Sequence, residues 1–252
     1  METEPARVDT SRGGARSFRY FDIVMVAFVA ILLLSNVIGA AKLSSVAVGW
    51  WPQGWWPAPD GAFIFGAGIL FFPISYVIGD VLTEVYGYQR ARRCIWVGFA
   101  AMIFMAFMSF VVVALPAADG WENQPAYEAV FGQVPRIVLA SILAFWAGEF
   151  VNAFVLAKMK IWTAGKALWS RTIGSTVFGQ AVDSAIFYPV AFLGEWETRA
   201  VLLVMVTNWA LKVLWEAVLT PATYLVVNRL KHAEGVDIYD TGTDFSPFAS
   251  TR

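Results

Sequence analysis

Six stretches of this 252-residue chain are each apolar for about the 20 residues that a helix needs to cross a hydrocarbon core. They fall at 21–41, 62–86, 95–115, 137–157, 172–193 and 201–227. Inside lipid no water is available to a backbone N–H or C=O, so such runs must satisfy these groups internally, as helices do. The period-two alternation that a membrane barrel would need is missing. The reading is therefore an all-α integral membrane protein, a six-transmembrane-helix bundle. Charged residues make up only 15% of the chain, below the usual share for soluble domains. The first run exceeds the 7–15 residues of a signal-peptide core, so it reads as a retained span.

Loop charges orient the bundle. Arg7, Arg12, Arg16 and Arg19 precede the first run, and Arg90, Arg92 and Arg93 follow the second. Lys158, Lys160, Lys166 and Arg171 follow the fourth, and Arg229 and Lys231 follow the sixth. With six spans, all four basic segments share one side, which predicts cytoplasmic N- and C-termini. The alternate loops carry Asp60, then Asp119, Glu122 and Glu128, then Glu195 and Glu197, with Arg199 as the exception. The first of these loops also holds Trp50, Trp51, Trp55 and Trp56, which suits an anchor among the lipids at the membrane interface or a flap over an external mouth. Residues 1–17 and 233–252 lack apolar periodicity and are expected to be a disordered arm and a flexible tail around a single membrane domain, 18–232.

Several functions are excluded. A net charge of −1 gives no basic field for nucleic acid. Cys94 and His232, the one cysteine and the one histidine, are too far apart in sequence to suggest a His/Cys metal centre. No Walker A loop, HExxH or GxSxG occurs, so neither an enzyme nor a built-in ATPase is expected, and no cofactor is called for.

What remains is polarity where it is costly. An ionisable group at mid-bilayer costs about 2.5–3.5 kcal/mol on insertion scales. The second run carries Tyr76, Asp80, Thr83 and Glu84, and steps of three and four place them on one helical face. Glu84 is expected to join a charge network with Arg90, Arg92 and Arg93. The fourth run carries Glu149 and Asn152. The fifth carries Thr176, Gln180, Asp183 and Phe187 on one stripe. The sixth carries Asn208, Lys212 and Glu216; Lys212 is too deep to snorkel and should pair inward, with Asp183 or Asp80. Mutual neutralisation of Lys212 and Glu216 at i,i+4 is the simpler alternative. The first run carries Ser35 and Asn36. Polar faces on five helices, with the third peripheral, point to a bundle around a polar cavity. Polar glue between helices accounts for part of the pattern.

Carboxylates, amides, one lysine and aromatic rings (Phe72, Tyr76, Trp146, Phe178, Phe187, Tyr188, Trp209, Trp215) suit a flat heterocycle rich in hydrogen-bonding groups. A carboxylate takes two donors from a guanine-like edge while rings sandwich the base.

The stretch FFPISYVIGDVLTEVYGYQRARR at 71–93 resembles the signature of the queuosine precursor transporter family, also called the vitamin uptake transporter or DUF165 family. SNVIGAAKL at 35–43, STVFGQAVDSAIF at 175–187 and LKVLWEAVLTPATY at 211–224 resemble further pieces of it. The resemblance covers nearly the whole membrane part. It implies a six-helix fold similar to energy-coupling-factor substrate-binding subunits. It also implies uptake of 7-cyano-7-deazaguanine or 7-aminomethyl-7-deazaguanine across a bacterial inner membrane. Asn36, Asp80, Asp183 and Lys212 match the family's polar positions; Tyr76, Thr83, Glu84, Gln180 and Glu216 lie in more variable parts of the pattern. Two other functions are carried alongside: a substrate-capture subunit that needs a separate ATP-driven module, and a non-transporting membrane scaffold. The sequence leaves open whether the chain is a homo-oligomer.

Overall fold

The computed structural model describes residues 6–9, 18–39, 43–47, 49–50, 52–53, 62–66, 70–131, 135–194 and 198–249. Within them the apolar runs become helices: α1 (Phe21–Leu34), α2 (Phe72–Tyr86), α3 (Tyr88–Ala114), α4 (Gln124–Phe131), α5 (Pro135–Trp162), α6 (Leu168–Phe192) and α7 (Thr198–Glu234). A π-helical turn, Ser35–Gly39, extends α1. Short strands make two pairs. β2 (Leu43–Ala47) runs antiparallel to β3 (Ala62–Gly66), and β1 (Ala6–Asp9) runs parallel to β4 (Val236–Tyr239).

Four helical segments are long and apolar enough to cross a membrane: Phe21–Ile38, Tyr88–Ala114, Leu139–Trp162 and Asn208–Glu234. The other two expected spans differ from the sequence reading in instructive ways. The run 62–86 is not one helix, because its first residues form β3 and the helix starts only at Phe72. Pro73 sits in the first turn of α2, where its missing N–H costs nothing and its fixed φ favours helix initiation. The 15 residues of α2 rise about 22 Å, short of a 30 Å core. α6 is long enough at 25 residues, but Ser175, Thr176, Gln180, Asp183 and Ser184 lower its apolarity.

Lipid-like exposure marks the outer faces. On α3 the far half presents Phe104, Phe107 and Phe110 outward, whereas Tyr88, Ala91, Cys94, Ile95 and Met102 are buried. That agrees with a peripheral third helix. The core lies between α1, α2, α3 and α5, around Phe28, Val81, Leu82, Val85, Ile95, Phe150 and Ala153. α5 and α6 approach closely through glycines: a methyl on Gly179 would lie 2.7 Å from Asn152 Cβ and 3.0 Å from the Gly148 carbonyl. Such contact is how small residues let membrane helices pack tightly.

At one end of the bundle Lys160, Arg171 and Lys231 gather around Glu84, and Arg92 reaches the C-terminal segment. β1 of the N-terminal arm pairs with β4 of the tail, and β4 packs against α2, α5 and α7. Residues 236–249, within the stretch expected as a flexible tail, hydrogen-bond to the start of α3. Tyr88 N–H donates to Asp240 Oδ2 at 3.0 Å and Tyr88 Oη to the Phe245 carbonyl at 3.0 Å. Arg92 Nη1 donates to the Asp244 and Ser246 carbonyls at 2.8 and 2.6 Å, and Trp96 Nε1 to the Pro247 carbonyl at 2.9 Å. Gly87 joins α2 to α3 at φ +83, a conformation glycine adopts without penalty. A Cβ there would also strike Ile238 Cγ2 at 2.9 Å. Hydropathy could not reveal this docking, since the tail uses backbone carbonyls and single aromatic rings rather than an apolar stripe.

Candidate functional site

The polar face of α2 separates into two environments one turn apart. Glu84, wholly buried, gathers three cations around one of its oxygens. Its Oε1 accepts from Arg171 Nη2 and Lys231 Nζ, each at 2.7 Å, and lies 3.5 Å from Lys160 Nζ. Lys160 also donates to the Glu84 carbonyl at 2.7 Å. Asp237 of β4 closes the knot, 2.7 Å from Lys160 and 2.8 Å from Lys231. Burial alone would push the Asp237 carboxyl up, but the two ammonium groups outweigh it and hold it below the ordinary carboxylate range. The sequence reading placed Glu84 in a charge network, and it is in one, but its partners are not Arg90, Arg92 and Arg93. Arg92 caps the tail carbonyls, and Arg90 lies over the Phe18 ring and reaches the Tyr86 carbonyl at 3.4 Å. Lys160, Arg171 and Lys231, read as interfacial loop charges, turn inward because a lone carboxylate on α2 faces them from three helices.

Asp80, also wholly buried, has no such supply. Asn152 Nδ2 donates to its Oδ1 at 3.2 Å, while its Oδ2 has no donor among the described residues. The Glu216 carboxyl, from α7, is a neighbour of Asp80. Glu216 is 0% exposed, and neither of its oxygens meets a donor among the described residues. Glu149, one turn before Asn152 on α5, completes the cluster. Its Oε2 lies 3.3 Å from where a Cβ on Gly79 would stand, so the missing side chain at Gly79 makes room for the carboxyl. Glu149 is within electrostatic reach of Asp80 on one side and of Asp183 and Lys212 on the other. Gln180 and Ser184 are buried on the adjoining face of α6.

Lys212 pairs with Asp183, one of the two inward partners the sequence suggested. The pair joins α6 to α7 and keeps about a fifth of each side chain accessible. Its backbone is fixed by the glycine crossing: a methyl on Gly148 would lie 2.9 Å from Asp183 Cβ. Lys212 therefore does not neutralise Glu216 by an i,i+4 bridge, and Glu216 is left facing Asp80.

The remaining expected residues spread out. Asn36 lies in the π turn, where its amide donates to the Leu32 carbonyl at 2.9 Å and its Oδ1 accepts from Ser141 Oγ at 3.4 Å. That puts it between α1 and α5, with no contact to Asp80 shown. Asn208 is half-buried on α7, one turn before Lys212. The Tyr76 side chain, the loop residues Trp51, Trp55, Trp56 and Asp60, and Glu195 and Glu197 lie outside the described residues. Among the aromatic candidates, Phe178 and Trp215 are exposed on the outer surface. Trp146 belongs to a ring cluster with Trp96, Phe150 and Phe248. Trp209 Nε1 donates to the Val177 carbonyl at 3.0 Å, which ties α7 to α6. A shallow apolar cleft of about 290 Å³ between α1, α3 and α4, lined by Val37, Met105, Met108 and Tyr127, holds none of the expected site residues.

The arrangement is thus a linked row of acids and amides, Glu216–Asp80–Asn152–Glu149, ending at the Asp183–Lys212 pair. It can hold hydrogen-bond donors or protons.

The chain matches the family described as "Putative vitamin uptake transporter" over residues 66–226, which includes α2 to most of α7 and every residue of that row. It is 30% identical to the "Probable queuosine precursor transporter" of Bacillus subtilis, over 66% of this chain and 73% of that protein. It is 28% identical to the "Queuosine precursor transporter" of Escherichia coli, over 50% of this chain and 54% of that protein. A "Probable queuosine precursor transporter" of Haemophilus influenzae is 25% identical, over 54% of this chain and 55% of that protein. The chain thus spans only about half the length of the last two. No solved structure matches the chain. With well over half its length matched, including the whole polar row, the chain belongs to the vitamin uptake transporter family, and it is a multi-pass membrane transporter rather than an enzyme.

Proposed function

We propose that this chain takes up a queuosine precursor of the 7-deazaguanine type across a bacterial inner membrane. The observation that carries this reading is the row of buried acids and amides inside an apolar bundle whose relatives are named as transporters of such precursors. Intramembrane carboxyls without cations are costly, and they persist where a solute or proton uses them. In this reading Asp183 and Gln180 take the donor edge of the ring, and Lys212, paired with Asp183, orients it for the substrate. Asp80, Glu149, Asn152, Asn208 and Glu216 line the path beyond it, and Asn36 and Tyr76 are further candidates for contact with the solute. The full arrangement is six spanning helices, with α2 and α6 as the shorter and the more polar members, similar to energy-coupling-factor capture subunits. The basic end, with both terminal segments, faces the cytoplasm.

A stand-alone carrier is favoured over a capture subunit because Gly148 and Gly179, two of the small residues that could dock a partner, are consumed in the α5–α6 contact. Uptake of labelled 7-cyano-7-deazaguanine by proteoliposomes holding only this protein tests the reading. Binding without uptake would favour the capture subunit. In Asp183→Asn, retained affinity for the ligand would remove Asp183 from the ring-reading role, and unchanged binding in both Asp183→Asn and Lys212→Met would favour a scaffold.

A further inference from the structure

The transport reading says nothing of what drives the solute, and the Asp80–Glu216 contact supplies an answer. Two carboxyl groups from the packed helices α2 and α7 stand beside each other, both 0% exposed, and Asp80 Oδ2 and both Glu216 oxygens have no donor among the described residues. Asp80 Oδ1 is occupied by the Asn152 amide, so Oδ2 is the oxygen left for Glu216. Carboxylate oxygens are acceptors only, so a contact between two of them closes only when one carries a proton. Like charges at that range in a dry interior cannot both persist.

The charges around the pair do not relieve it. Facing Asp80 are Glu216 from α7, Asn152 and Glu149 from α5, and Glu84 one turn on along α2. Three of these four are acids. The cations near Glu84, which are Lys160, Arg171 and Lys231, already bond to it. Lys212, one turn before Glu216, is bonded to Asp183. On α3, Arg92 is engaged with the tail, and α1 brings Phe28 toward Gly79. Among the described residues no group of three or more His, Cys, Asp or Glu side chains is placed to hold a metal ion.

We propose that Asp80 and Glu216 form a single-proton site that couples proton entry to solute uptake. The proton sits between Asp80 Oδ2 and a Glu216 oxygen, and the loaded pair carries one negative charge. When the proton leaves, the pair carries two. Lys212 stands at i−4 to Glu216, in reach of it along the α7 surface. It then moves from Asp183 to Glu216, so deprotonation takes apart the Asp183–Lys212 pair that holds the solute and protonation rebuilds it, and proton and solute are bound together and released together. The proton site and the solute site exchange one cation between them. This step rests on the transport reading, but the proton site itself does not.

The test has two arms. Infrared spectroscopy of the protein in lipid at neutral pH should show a protonated-carboxyl band that is lost in Glu216→Gln, with Asp80→Asn as the substitute should that variant not fold. A band that persists unchanged in the folded variant, or no band in the native protein, overturns the site whatever transport does. In the second arm, native proteoliposomes should accumulate 7-cyano-7-deazaguanine about tenfold more for each unit of imposed pH difference, acid outside, as expected for one proton per solute. Accumulation that ignores the pH difference, or follows a sodium gradient instead, overturns the coupling while leaving the transporter reading intact. Absence of any uptake with the band present overturns transport and coupling and leaves the proton site standing.

Discussion

Asp80 and Glu84 are one helical turn apart on α2, both acidic and both without solvent exposure, yet their surroundings are opposite. Glu84 draws three cations from three helices and shares two of them with Asp237. Asp80 meets one amide and two more acids. The difference separates structural from functional charge. A buried carboxylate that serves the fold is neutralised on the spot, because an unpaired one costs several kcal/mol. A carboxyl left without a cation, where cations stand one turn away, is one whose charge must change.

The contrast can be broken most directly at Glu84. Glu84→Gln leaves Lys160, Arg171 and Lys231 with Asp237 as their remaining acid in the knot, and should cost about 3–5 kcal/mol, the usual result of removing one partner from a buried ion network. Thermal unfolding in detergent, followed by tryptophan fluorescence, should show a large drop; a melting temperature within a degree of native would mean the knot is not structural. Next in size, Gly179→Ala drives a methyl against Asn152 and should cost about 1–3 kcal/mol through overpacking. It should also weaken ligand binding, since Asn152 and Asp183 share that crossing; normal binding in the folded variant would detach the site from the crossing.

A smaller effect concerns Asp237 and acid. Its folded-state value is depressed, so its contribution is complete above the ordinary carboxylate value of about 4 and fades as pH falls through the depressed one. Asp237→Asn should therefore melt below the native protein at pH 7, by an amount on the order of 1 kcal/mol for a partly exposed bridge. The gap should close in strong acid. A gap that widens on acidification would reverse the sign and exclude the ion pairs as its cause. Smallest is Asp80→Asn. It removes an acid from among acids, so stability should stay level or rise by up to about 1 kcal/mol, while pH-driven accumulation is lost. Destabilisation comparable to Glu84→Gln would erase the distinction between the two residues.

Much of the membrane character was legible in the chain: the apolar runs at 21–41, 95–115, 137–157 and 201–227 each coincide with a helix long and apolar enough to span. The run at 62–86 misled because a five-residue apolar strand and a helix start look alike to a hydropathy window. Only Pro73 hinted at the true beginning of α2. The Lys212–Asp183 pair was foreseeable, because one deep lysine needs an acid and few were available. The Glu84 knot was not, because its partners are 76, 87 and 147 residues away in sequence, and nothing local distinguishes Lys160 from a lysine at the headgroups. The pinned tail escaped for a related reason: Arg92 and Trp96 hold it through main-chain carbonyls, which every sequence possesses.

The parallel pairing of β1 with β4 and the reach of Lys231 and Asp237 into the Glu84 knot have a consequence for biogenesis. A carboxylate synthesised at position 84 meets Lys160 and Arg171 only once α5 and α6 are made, and its knot closes only when residues 231–237 have left the ribosome and come back across the bundle. Until then α2, short and acid-bearing, is a poor guest in lipid, so its insertion is finished late and from the far end of the chain. Ribosome-stalled nascent chains released before residue 231 should remain protease-sensitive near Gly87, and those extended past the tail should not.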